Sequence, residues 1–262
     1  MKKIGFVGMG NMGQAMIKGL LKVIPAEDMI FSEADKTKAD AASEALGVEN
    51  TDNISLASQV SYLVLAIKPQ FYQVVLDEIR GHVNPETIVI SIAPGKKLDY
   101  VKDALLVRRV VRAMPNTPAL VSEGMTGICY DASLYSAEEL DCIDKIFGSI
   151  GQYVKVDERL MDAVVCASGS SPAYVYMMID ALADSAVKYG IPRDMAIKMV
   201  AQTVLGSAKM VLETGEHPSV LKDRVCSPGG TTIAGVAALE EWGFRNSLIK
   251  ATDACYDKAT SL

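Results

Sequence analysis

The 262-residue sequence predicts a doubly wound α/β sheet followed by an all-α domain. Three observations carry that expectation. Short β-branched runs alternate with helical patterns from residue 3 to about residue 156. A glycine turn, Gly8-Met9-Gly10-Asn11-Met12-Gly13, follows the first run and opens the first helix. After about residue 157 the strand signals stop and helical periodicity continues alone, so the expected domains are 1–157 and 158–262.

Taken in order, residues 3–7, 29–31, 62–67, 88–92, 109–112 and 126–130 read as strands. Several are apolar without clean alternation, as expected of strands covered on both faces. Helices are predicted over 13–23, 36–46, 70–80 and 136–149. Their alternation with the strands implies right-handed crossovers and a mostly parallel sheet. In the second part, Val175, Met178, Ile179, Leu182 and Ala186 recur at helical spacing before Gly190-Ile191-Pro192. Ala196, Met199, Val200, Thr203, Val204 and Ser207 line a second helix that Gly215 closes. Two more helices, about 229–241 and 244–260, are separated by Gly243. Gly206, Ala208, Ala234, Gly235, Ala237 and Ala238 allow close helix approach. A helical module of this size often completes its core with a second subunit, so self-association through this half is expected.

Composition excludes several classes. The net charge of −6 lacks the basic footprint that nucleic acid requires. Met1-Lys2-Lys3-Ile4 runs directly into a strand, without the pattern of a signal peptide. No apolar run approaches the roughly 20 residues needed to span a bilayer. Five widely spaced cysteines without a Cys-x-x-Cys pair read as reduced thiols, and a cytoplasmic protein is expected. The two histidines, His82 and His217, are far apart, so no dedicated metal site is expected.

The glycine turn carries the first chemistry. In a βα context, Gly8 permits the tight turn, Gly10 lets the backbone approach a pyrophosphate, and Gly13 lets helix and strand pack closely. The helix amino terminus then offers N–H groups and a positive dipole end to phosphate. This is the Rossmann-type arrangement for a dinucleotide. At the end of the second strand, Glu33 favours NADH because an acid there holds the ribose hydroxyls. Ser32, Lys36 and Lys38 could instead receive the extra phosphate of NADPH, so both coenzymes remain open. Ala66-Ile67-Lys68-Pro69 and Ala93-Pro94-Gly95 follow later strands, on the edge where such sheets bind ligands. Met114-Pro115-Asn116-Thr117-Pro118 is a rigid loop whose Asn116 amide is expected to be free to meet a nicotinamide carboxamide.

A second anion site is predicted at Ser227-Pro228-Gly229-Gly230-Thr231-Thr232. Ser227 suits an N-cap, Pro228 suits the first helical position, and the glycines expose N–H groups to a small carboxylate. Two glycines inside a first turn would cost helix stability, roughly 1 kcal/mol each, which favours a functional reading. Residues 168–174 (Ser-Gly-Ser-Ser-Pro-Ala-Tyr) read equally as a ligand-facing break or a loop. His217 before Pro218 reads as a turn residue, and Arg108, Arg109 and Arg112 read as edge and surface charge. Cys226 has no visible activating neighbour.

These pieces together resemble the pyrroline-5-carboxylate reductase family over essentially the whole chain. The resemblance implies a Rossmann domain followed by a helical dimerisation domain interlocked with a second subunit, with dimers often assembled into rings such as a decamer. It implies NADPH or NADH contacts at Val7, Gly8, Met9, Gly10, Asn11, Met12, Ser32, Asn53, Ala66, Ile67, Lys68, Pro69, Ala93, Pro94 and Gly95. It places Glu158, Thr231 and Thr232 at the substrate, with the amides around Gly229 and Gly230 on its carboxylate. Two departures stand out: Ser171 replaces the family's usual glycine, and Glu33 stands where many NADPH-using relatives carry a small uncharged residue, which leaves the coenzyme preference open.

The implied reaction transfers hydride from nicotinamide C4 to the imine carbon of 1-pyrroline-5-carboxylate, giving L-proline. A cyclic imine can arrive protonated, so hydroxyls suffice where no His or Lys is offered, and Thr232 is the expected partner of the ring nitrogen. A β-hydroxyacid dehydrogenase shares the two-domain plan, but its Gly-Lys-x-Gly-x-Gly stretch is absent from the sequence. A non-catalytic dinucleotide sensor would need an output domain, and none is evident.

Overall fold

The computed structural model describes residues 2–261. Its sheet contains β1 (Lys2–Val7), β2 (Met29–Ser32), β3 (Glu49–Asn50), β4 (Val60–Leu65), β5 (Ile88–Ser91), β6 (Val110–Met114), β7 (Gly124–Cys129) and β8 (Gly151–Lys155). Their spatial order is β3-β2-β1-β4-β5-β6-β7-β8. Among the described residues, every neighbouring pair is parallel except β6 with β7. The chain builds outward from β1 in one direction and then from β4 in the other. The reversal of strand order therefore falls between β1 and β4, which is where sheets of this kind bind ligands.

Helices packed on the sheet include α1 (Asn11–Leu20), α2 (Lys36–Leu46), α3 (Asn53–Gln59), α4 (Tyr72–Ile79), α5 (Leu98–Leu105) and α6 (Ala137–Gly148). Strand side chains alternate between two cores. Ile4, Phe6, Val64 and Ile90 pack with Met16, Ile17 and Leu20 of α1 and Ile146 and Phe147 of α6. Val7, Leu63, Leu65 and Val89 pack on the other face with Leu56, Leu76, Val101 and Leu105 from α3, α4 and α5. Both faces of the central strands are thus apolar, which is why their sequences lack alternation.

The six strands read from sequence are all present. The sequence reading missed β3 and β8, whose side chains are mostly exposed and polar at the sheet edges, and it also missed α3 and α5. In α5, Val101 and Leu105 do carry an i, i+4 apolar signal, and both are buried.

By contact the chain divides into two compact units, Met1–Ser170 with Cys255–Leu262, and Ser171–Ala254. Within the first, α7 (Met161–Val164) runs into a π-helical turn, Val165–Gly169. The second unit holds α8 (Ser171–Lys188), α9 (Arg193–Thr214), α10 (Pro218–Val225), α11 (Thr231–Glu241) and most of α12 (Phe244–Thr260). Among its described residues only Ala183 and Ala196 are buried. Helix α9 is long and apolar enough to cross a bilayer by length and composition. Lys198 and Lys209 interrupt it, so no uninterrupted apolar run of that length stands in the sequence.

Candidate active site

The registers Val7↔Ser32, Val7↔Leu65 and Leu65↔Ser91 set the ends of four parallel strands level. The turns that follow β1, β2, β4 and β5 therefore share one edge of the sheet. Gly8 sits at φ +97°, donates its N–H to Ser32 O at 2.8 Å, and leaves no room for a side chain. A Cβ there would stand 2.8 Å from Ala66 O, and one on Gly13 would stand 2.3 Å from Gly8 O. At Gly10, by contrast, a Cβ would meet no described atom within 4 Å. Among the described residues no side chain caps α1 and no acid occupies its first turn. Open space beside uncapped helix-start amides is what a pyrophosphate needs. The residues present fit a nicotinamide dinucleotide.

The other predicted contacts line the same edge. Val7 and Met9 are buried, Met12 is half-buried, and Asn11 is exposed. The Ser32 hydroxyl donates to Asn53 Oδ1 at 2.6 Å, and Asn53 Nδ2 donates to Glu78 Oε2 at 2.7 Å. Ala66 N donates to Val7 O at 2.8 Å, Ile67 is half-buried, and Lys68 and Pro69 are exposed where a short 3₁₀ turn, Pro69–Phe71, begins. Tyr72 was not anticipated. Its hydroxyl donates to Leu65 O at 3.0 Å and lies 3.1 Å from Ser91 Oγ, tying the ends of β4 and β5 together. Burial pushes its phenol well above the usual range. Ala93 is buried, while Pro94 and Gly95 are half-buried, with Gly95 at φ +73°.

Two expectations require correction. Asn116 is buried rather than free: its Nδ2 donates to Ser168 O at 3.0 Å and its Oδ1 accepts from Met125 N at 2.9 Å. It braces the loop from within. Arg112 is not surface charge either. It is 4% exposed and lies 3.4 Å from Glu158 and 3.2 Å from Asp162. Glu158 Oε1 also accepts the Leu98 N–H at 2.7 Å, so Arg112 and Glu158 fix the start of α5 just beyond Gly95. An arginine in a strand and two carboxylates four residues apart in a later helical turn, Glu158 and Asp162, were the available signal, and strand periodicity concealed it. Arg109 pairs with Glu139 and Glu86, and Arg108 is exposed. Arg109 also lines a cavity of about 400 Å³ at the opposite end of the sheet, with Tyr62, Thr87 and Glu139, remote from these turns.

On the second unit, Ser227 O accepts from Gly230 N at 3.0 Å, and Gly229 between them has φ +70°. Proline at the second position and a left-handed glycine at the third make a type II turn. Gly230, not Ser227, is the N-cap of α11, without a side-chain cap, and the helix begins at Thr231. The expectation of glycines inside the first turn is thus corrected: both precede it. A Cβ on Gly230 would stand 2.4 Å from Ser227 Oγ, so a side chain there would require the Ser227 hydroxyl to turn away. Thr231 and Thr232 are exposed on the uncapped first turn, an arrangement able to receive a carboxylate. His217 caps α10, its Nδ1 accepting from Ser219 N at 3.2 Å, as a turn residue should.

Residues 158–262 match the model of the pyrroline-5-carboxylate reductase dimerisation family, and residues 3–95 match that of the coenzyme F420-dependent NADP oxidoreductases. The chain is 44% identical over 266 residues to the pyrroline-5-carboxylate reductase of Escherichia coli K12, covering 100% of this chain and 98% of that one. The crystal structure of the Plasmodium falciparum pyrroline carboxylate reductase with NADP bound superposes with a TM-score of 0.88 at 30% identity, covering 99% and 97% of the two chains. The Streptococcus pyogenes 1-pyrroline-5-carboxylate reductase structure gives 0.87 at 35% identity, covering 99% and 98%.

Proposed function

The chain belongs to the pyrroline-5-carboxylate reductase family, and from that membership we propose that it reduces 1-pyrroline-5-carboxylate to L-proline, the last step of proline biosynthesis. The observation that carries the proposal is the glycine type II turn and uncapped helix start at 227–232, joined in one chain to a dinucleotide turn. When bound, NADPH or NADH supplies hydride from nicotinamide C4 to the substrate's imine carbon.

The chain's own residues bind and orient. Val7, Gly8, Met9, Gly10, Asn11 and Met12 would hold the pyrophosphate, with Ser32 and Asn53 toward the ribose. The segments Ala66-Ile67-Lys68-Pro69 and Ala93-Pro94-Gly95 would flank the dinucleotide, with Asn116 bracing the neighbouring loop. Ser227 shapes the turn, and the amides at Gly229, Gly230 and Thr231 would hold the substrate carboxylate. Thr232 would donate or accept at the ring nitrogen, and Glu158 would keep its family place toward the substrate while anchoring α5. Fixing two reactants in one geometry supplies much of the rate in such reactions. An imine that arrives protonated takes hydride without a strong protein acid. The functional division is 1–157 for the dinucleotide and 158–262 for substrate and self-association to a dimer, with rings such as a decamer above it, in the cytoplasm.

The test follows nicotinamide oxidation on addition of synthetic 1-pyrroline-5-carboxylate to the full-length enzyme. Wild-type protein should turn over. Thr232→Ala should lower kcat by about 10- to 100-fold while leaving dinucleotide affinity, read by calorimetry, unchanged. Undiminished turnover in that variant removes Thr232 from the mechanism, and absence of turnover in the wild type removes the function.

A further inference from the structure

The corner where β2 meets α2 carries two acids in an arrangement with consequences for the coenzyme. Glu33 does not point idly into solvent. Its Oε2 accepts the N–H of Met9, inside the glycine turn, at 2.9 Å, and its Oε1 accepts the N–H of Asp35 at 3.0 Å. One carboxylate thus spans the β1–α1 turn and the β2–α2 loop, with both oxygens engaged. The next acid, Asp35, caps α2, accepting from Thr37 N at 3.0 Å and Lys38 N at 3.2 Å. The main-chain donors of Met9, Asp35, Thr37 and Lys38 at this corner are therefore already held by built-in carboxylates.

We infer that this clamp makes the enzyme select the dinucleotide with a free ribose 2′-hydroxyl, NADH, over its 2′-phosphorylated counterpart. This rests on the dinucleotide reading given above. The ribose of the adenosine half lies at the end of the second strand in sheets of this type, where an acid accepts from its hydroxyls and repels a phosphate. A 2′-phosphate is close to doubly charged, so it would meet Glu33 and Asp35 as like charges while finding their amides occupied. The lysines of this corner do not reverse the balance. Lys38 lies 3.7 Å from the Asp35 carboxylate and pairs with it, so those two charges offset each other and exposed Lys36 is left against Glu33. A ribose hydroxyl, in contrast, can donate to Glu33 without displacing either backbone bond, since each carboxylate oxygen accepts more than once.

Isothermal titration of the full-length enzyme with NADH and, separately, with NADPH tests the inference without turnover. Wild-type protein should bind NADH about tenfold or more tightly than NADPH. Glu33→Ser should narrow that ratio at least severalfold by tightening NADPH and weakening NADH. Glu33→Gln keeps the shape while removing the charge, and it should narrow the ratio as well. Equal wild-type affinities, preference for NADPH, or a ratio unmoved by both variants would each overturn the inference while leaving the dinucleotide site intact. Binding of neither coenzyme would overturn the dinucleotide reading itself, and the selectivity with it.

Discussion

Gly13 leaves the least room of the three glycines in the dinucleotide turn. Its missing Cβ would stand 2.3 Å from Gly8 O, a backbone atom that cannot swing aside. Gly13→Ala should lower stability by about 1–3 kcal/mol in urea melts and weaken dinucleotide binding along with it. A change below measurement error would show that the turn is looser than its geometry indicates. Arg112 makes a different point, since it is itself buried while its partners, Glu158 and Asp162, are about a third exposed. Arg112→Met should cost about 1–3 kcal/mol, less than a fully buried pair because water screens the carboxylates left behind. Urea denaturation at neutral pH reads this directly. The cysteines give a chemical check. Burial pushes the Cys129 thiol up to about 11 and raises that of Cys142 as well. Native protein treated with iodoacetamide at mildly basic pH should therefore leave both unlabelled in peptide mass spectra.

Among the elements, α6 is specified by local chemistry as well as by burial. The Ser136 hydroxyl accepts the Glu139 N–H at 3.2 Å, and the Glu139 carboxylate accepts the Ser136 N–H at 2.8 Å. Ser136→Ala should cost about 1 kcal/mol in thermal or urea melts, and an unchanged midpoint would mean that packing alone holds this helix. Elements of this kind were readable because pattern and propensity agree. The buried strands announced themselves as apolar runs, and the glycine turn by its spacing. Edge elements were not readable, since β3 and β8 expose polar side chains and carry no hydrophobic pattern. The substrate-side turn was legible in composition but not in register. Proline followed by glycine fits either a helix start or a type II turn, and only backbone angles separate them. Asn116 and Arg112 illustrate a further limit. Their partners, Ser168 and Asp162, lie about 50 residues away in sequence, so no local rule exposes them.

At the scale of the molecule, the unit Ser171–Ala254 presents its apolar helix faces outward. Met177 is 72% exposed and Leu212 is 81% exposed. Apolar surface of that extent marks an interaction face, and the match of residues 158–262 to a dimerisation family agrees with self-association through it. Leu212→Glu should shift the enzyme toward monomer in sedimentation velocity while leaving the sheet's secondary structure intact. An unchanged assembly would place the contact elsewhere on the helices. The central claim concerns the backbone donors at 227–232, and it is tested most directly by comparing kcat/KM for 1-pyrroline-5-carboxylate with that for 1-pyrroline, the same ring without the acid group. If those donors grip a carboxylate, the unsubstituted ring should be reduced about 100-fold or more less efficiently, the loss expected for removing charge-assisted hydrogen bonds. Equal efficiency for the two rings would contradict the account.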